Sequence, residues 1–105
     1  MNIRETRIID ITDKEGNVKS YTVTKLPATK ANKVYKKLAT SGMDSLDEDD
    51  VKSLIVESCA MKPETFEYEF SGRMVALYKL VGEILQFNFE DVFQELGLEE
   101  DNQSS

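Results

Sequence analysis

The sequence predicts an α+β domain, with an N-terminal β-hairpin packed on a small bundle of about four helices. Three observations predict it. Two β-branched segments, "TRIIDIT" and "VKSYTVT", flank the turn-like "DKEGN". Further on, apolar residues recur at helical spacing over residues 28–42 and again over residues 74–96. The chain has 105 residues, one domain's worth. Such a domain buries roughly 65% of its unfolded surface, enough for one modest core.

Each element has its own local cause. In the hairpin, Gly16 and Asn17 are the residues able to take positive φ at the turn. A two-stranded hairpin is marginal alone, so the helices must cover it. Pro27 closes the second strand. In "ATKANKVYKKLATSG", Ala31, Val34, Tyr35 and Leu38 make one apolar face, Lys30, Lys33 and Lys37 share another side, and Gly42 is the expected stop. Ser45 and Glu48 have the spacing of a capping box for the next helix, expected from about Asp47 to Met61, and Val51, Leu54, Ile55, Ser58 and Cys59 are its inner face. Pro63 breaks that helix. The segment "ETFEYEF" fits a short strand or a helical turn equally well, because seven residues are too few for periodicity to decide.

The stretch "FSGRMVALYKLVGEILQFNFEDVF", residues 70–93, is the most apolar in the chain. Ser71 and Gly72 suit a helix start. Met74, Leu77, Tyr78, Val81, Ile84 and Leu85 follow helical spacing, while Val75, Leu80 and Phe87 lie off that stripe. The helix is therefore apolar over more than half its circumference and has to be covered on most sides. Gly82 within it suggests a close backbone approach. Asn88 is expected to cap a last short helix, "FEDVFQEL", which Gly97 ends. The domain is expected to span residues 1–97, and the acidic residues 98–105 are expected to be a disordered tail.

Composition excludes several function classes. There is no histidine and a single cysteine, Cys59. The commonest general base and the ligand set for structural zinc are thus missing, so neither a metal, a cofactor nor catalysis is expected. Cys59 reads as a small hydrophobe. "DITDKEGN" has calcium-loop offsets at Asp13, Glu15 and Gly16, but the first and twelfth ligand positions fall on Ile11 and Thr22. No apolar run is long enough for a membrane span, and "MNIRETRIID" lacks the apolar core of a secretory signal. The net charge of −7 is unevenly spread: residues 1–43 hold nine basic and four acidic groups, and residues 44–105 hold four basic and sixteen acidic groups. The plain reading of that asymmetry is two solvated faces of opposite sign; the sharper one is head-to-tail alignment of copies, or a partner of complementary charge, with Lys30, Lys33 and Lys37 as the basic contribution. The same lysines raise a second reading, a small nucleic-acid-binding regulator, although a pI of about 4.6 speaks against it.

"KLPATKANKVYKKLA" followed by "FSGRMVALYKLVGEILQFNFEDVF" resembles the tail assembly chaperones of long-tailed bacteriophages and their prophages. The likeness lies in the order of parts: a β-rich start, "LPA" leading into a basic helix, an acidic middle, then Ser71-Gly72-Arg73 and a helix closing on "NFEDVF". It spans most of residues 25–97. The resemblance implies a non-catalytic cytoplasmic protein, absent from the mature virion. It would coat the long, largely helical tape measure protein and help recruit the tail tube protein. In many members a programmed frameshift appends a second domain. A structural tail or connector subunit is a further alternative. Phe87, Phe89 and Phe93 are the expected partner contacts, and self-association through the same apolar band is a possible companion.

Overall fold

The structure, a computed structural model, describes residues 4–95, with side-chain surroundings given as far as Val92. The expected stop at Gly97 and the acidic residues 98–105 lie outside the described residues. Strands β1 (Thr6–Thr12) and β2 (Val18–Thr24) pair antiparallel, from Thr6 opposite Thr24 to Thr12 opposite Val18. Alternation puts Ile9, Ile11, Tyr21 and Val23 on the buried face. The turn is built differently from expectation. Gly16 takes φ 89°, but Asn17 does not adopt positive φ. Instead the Asp13 carboxylate accepts from the backbone N–H of Glu15 (3.0 Å) and of Asn17 (2.9 Å). An aspartate at this position imitates a backbone turn with its own side chain.

Helix α1 (Ala28–Ser41) follows Pro27 and ends at Gly42, whose φ of 73° needs a glycine and whose N–H donates to the Leu38 carbonyl at 2.8 Å. Val34 is buried and Ala31, Tyr35 and Leu38 pack against the core. A single 3-10 turn, Met43–Ser45, leads to α2 (Glu48–Ser58). The capping box lies two residues later than expected. Asp47 accepts from the Asp50 N–H at 2.9 Å, and Asp50 accepts from the Asp47 N–H at 3.1 Å. Ser45 does not serve because it lies inside the 3-10 turn, two residues before the Asp47 N-cap, and its hydroxyl donates to the Gly42 carbonyl at 2.7 Å. Helix α2 also ends before Met61. Ala60 takes φ 51° and the Met61 N–H reaches back to the Val56 carbonyl at 3.0 Å, a Schellman-type stop.

Pro63 ends nothing further; it starts α3 (Pro63–Glu69) at the first helical position, where its missing N–H costs nothing. "ETFEYEF" is thus helical, and Phe66 and Phe70 meet ring to ring at 5.5 Å. Ser71 and Gly72 (φ 73°) form the tight turn into α4 (Met74–Glu95). Ala76, Leu80, Val81 and Ile84 of α4 are fully buried. The hairpin covers one side, where Lys79 donates to the Thr12 carbonyl at 2.9 Å, and α2 lies against another. The helix kinks at Phe89, whose φ of −114° and ψ of 15° leave the helical region. Asn88 does not cap the segment after the kink. Its Oδ1 accepts from the Leu26 N–H and its Nδ2 donates to the Ile84 carbonyl, both at 2.8 Å, tying the β2–α1 link to α4. Gly82 is exposed, and a Cβ there would meet nothing within 4 Å, so no backbone approaches it within the molecule.

Two glycine and alanine positions therefore look exchanged. Gly82→Ala should stabilise the fold by about 1 kcal/mol through helix propensity. Ala60→Gly should stabilise it by roughly 1 kcal/mol by relieving the left-handed backbone. Urea unfolding of the two variants measures both, and a loss of stability in either would contradict the local account.

Candidate partner-binding surface

Helix α4 sets the site. Met74, Tyr78, Val81 and Leu85 fall at i, i+4, i+7 and i+11, one line along one side of the helix. Val81 and Leu85 are buried, but Met74 is 53% and Tyr78 54% exposed. The pattern is that of a buried face, yet its first two turns are bare. Val75 beside them and Tyr68 on α3 are exposed as well. An open groove of about 580 Å³ adjoins this patch, with Val51, Phe66, Phe70, Met74, Leu77 and Tyr78 as its apolar lining. Glu48, Asp49, Lys52 and Glu67 form its polar rim. Lys52 binds Glu67 and lies 5.8 Å from the Phe66 ring.

A polar node holds the groove's walls in place. Arg73 starts α4 and donates to the Glu69 carbonyl (2.9 Å), the Glu69 carboxylate (3.2 Å) and the Tyr21 hydroxyl (3.4 Å). Tyr21 in turn donates to Glu69 at 2.7 Å, and Lys19 pairs with the same carboxylate. Arg73 also reaches Asp13 at 3.8 Å. One arginine thus joins the hairpin turn, β2, α3 and α4. Burial raises the Glu69 carboxyl, but Lys19, Tyr21 and Arg73 outweigh it and hold the group below its ordinary value. Burial and the bond to Glu69 push the Tyr21 phenol up to about 12. The Cys59 thiol is pushed up to about 11 by burial and by the Glu69 charge, so it stays protonated and inert at neutral pH.

The expected contact residues lie elsewhere. Phe87 is 1% exposed, capped by Arg7 (4.2 Å to the ring centre) and Lys25 (5.0 Å). Phe89 is 4% exposed and meets Tyr35 edge-on at 5.5 Å. Both are core, and either could touch a partner only if the end of α4 detached. The Phe93 side chain lies outside the described residues. Of the lysines, Lys30 pairs with Glu57 at 3.2 Å and donates to Ser53, and Lys37 pairs with Asp50 at 2.7 Å. That bond to Lys37 is the main cause that lowers the Asp50 carboxyl and raises Lys37. Only Lys33 of the three faces solvent without an ion-pair partner among the described residues. The structure therefore brings the sequence-predicted residues to no common site.

Sequence periodicity does not mark the bare patch, because Met74 and Tyr78 carry the same signal as their buried neighbours. Nor does lying off the main stripe: Val75 is exposed, but Leu80 and Phe87, also off it, are buried. Among the described residues no group of acidic, histidine or cysteine side chains could hold a metal ion. No helix of the described residues is long and apolar enough to cross a membrane.

Glu69→Gln should lower stability by about 1–3 kcal/mol at neutral pH, the value of a buried charged hydrogen-bond partner. A carboxyl held low in the folded state stabilises above its unfolded pKa and loses that effect as pH falls toward the folded value. The gap between wild type and variant should therefore narrow as pH falls below about 4.5, the ordinary glutamate value. Denaturation across that range tests it, and a gap independent of pH would exclude the proposed charge interactions.

The family model described as "Phage tail assembly chaperone protein, TAC" matches residues 39–100, more than half of the chain and the whole of the groove. No curated protein and no solved structure matches significantly.

Proposed function

The chain belongs to the phage tail assembly chaperone family, and on that premise we propose that it binds the tape measure protein, keeps it soluble and supports assembly of the tail tube around it. The role is non-catalytic. It is exercised in the cytoplasm of the infected cell, and the protein is absent from the finished particle.

The observation that carries this reading is the half-covered stripe of α4. A chaperone for a long helical client needs apolar surface that its own fold leaves open, and such patches mark interaction sites. Met74, Val75 and Tyr78 supply it at the mouth of a groove walled by helices. The basic helix gives less support to a nucleic-acid reading, because Lys30 and Lys37 are engaged by acids of α2.

Co-expression with the product of the longest open reading frame found just downstream, taken as the candidate tape measure protein, tests the proposal. The client should become soluble and co-purify. A client that stays insoluble or unbound, while this chain is soluble alone, would overturn it. Detection of the chain in purified particles would favour a structural subunit instead.

A further inference from the structure

The groove between α2, α3 and the first turns of α4 has a mixed chemistry that narrows its occupant. Its floor is apolar. Its rim is acidic: Glu48 and Asp49 line it, while the ion pairs of α2 are made by Asp50, Lys52 and Glu57. Glu48 and Asp49 thus have no ion-pair partner among the described residues. Lys52, the cation in the lining, is held by Glu67. The N-terminal dipole of α2 is equivalent to about half a positive charge. That offsets part of the acidic first turn and leaves the rim negative.

Among the described elements no segment fits. The outward side of α1 carries Lys33 and Lys36, but no large apolar residue is exposed there. The outer face of the hairpin exposes Ile8 and Val18, with Asp10 between them and no lysine or arginine in its alternating set. The residues after Glu95 read "LGLEEDNQSS", with three acids and no base. Each candidate supplies either the apolar anchors or the positive charge, never both.

We propose that the groove takes an α-helix of another protein, with an apolar stripe at i, i+3 or i+4, and i+7 flanked by lysine or arginine. The walls are helices and no strand edge borders the groove, so a helix laid between them continues the packing. The apolar stripe covers Met74 and Tyr78, and the flanking cations meet Glu48 and Asp49. The inference deepens the chaperone reading and rests on it only for the client's identity.

The chain has no tryptophan, so a peptide's own tryptophan reports binding without background. Two synthetic amphipathic helices share a leucine stripe and a single tryptophan; lysines flank the stripe in the first and glutamates in the second. With the full chain, the lysine-flanked peptide should show a saturable blue shift, and the glutamate-flanked peptide should not. Glu48→Gln with Asp49→Asn, and separately Met74→Ser with Tyr78→Ser, should each weaken binding roughly tenfold, as loss of central contacts does. Circular dichroism should show the variants folded, since all four side chains are exposed. Equal binding of both peptides, no binding, or full binding by folded variants would overturn the proposal. So would self-association that displaces the peptide, which would assign the groove to a second copy. The same variants in the co-expression separate the two readings. A client still recovered by both variants sinks the groove and leaves the chaperone role. A bound lysine-flanked peptide with no client recovered by wild type sinks the client and leaves the groove.

Discussion

The burial of one helix is the constraint on which the rest of this fold depends. The hairpin has a single apolar face and cannot stand alone. Helices α1 to α3 are short, and none can bury its stripe without a partner. All of them meet on α4 or on elements that α4 supports. Ala76, Leu80, Val81 and Ile84 are completely covered, and Phe87 closes the far end under Arg7 and Lys25. Fully burying a side chain the size of Leu80, Val81, Ile84 or Phe87 contributes roughly 1.5–3 kcal/mol. The covering elements differ in length, however. Helix α3 has seven residues and turns sharply at Gly72, so its cover stops where α4 begins. The exposure of Met74, Val75 and Tyr78 on one side of the first turns of α4 follows from that shortage.

Charge within the molecule follows the same logic of neighbours. The basic N-terminal part and the acidic remainder fold against each other. Lys30 and Lys37 meet Glu57 and Asp50, Arg7 and Lys25 meet Glu90, and Lys19 meets Glu69. Pairs this exposed contribute only about 0–1 kcal/mol each, so they set register and orientation more than stability. The Arg73 node differs because its partners are largely buried and shared. It ties α3 to the start of α4, two of the elements that wall the groove.

Local patterns in the sequence were sufficient for the elements and insufficient for their surroundings. Both strands have the expected limits, because β-branched alternation is a property of the segment itself. Ala31, Val34, Tyr35 and Leu38 face the core for the same reason. "ETFEYEF" could not be decided because seven residues hold barely two helical turns; the proline at its start and the cover over Phe66 and Phe70 settle it. The capping box was displaced because two acid-rich possibilities lie two residues apart and only the 3-10 turn removes Ser45. Phe87 and Phe89 show the deeper limit. Aromatic residues at the end of an apolar helix read alike whether a partner or the chain's own Arg7, Lys25 and Tyr35 covers them. Coverage is a tertiary fact, absent from any single segment.

The exposed stripe raises a physical problem that the chain's charge answers. Bare apolar surface promotes self-association, and Met74, Val75 and Tyr78 are adjacent. A net charge of −7 repels copies from one another, and the acidic rim places part of that repulsion beside the apolar patch. A basic helical client experiences the opposite sign at the same place. On the proposed occupancy, the rim would discriminate in both directions at once: it would disfavour a second acidic copy and favour a client of complementary charge. An apolar groove with a neutral rim would bind as readily to a second copy. Under that proposal the fold can leave part of its central helix uncovered, because the acidic rim would select what covers it.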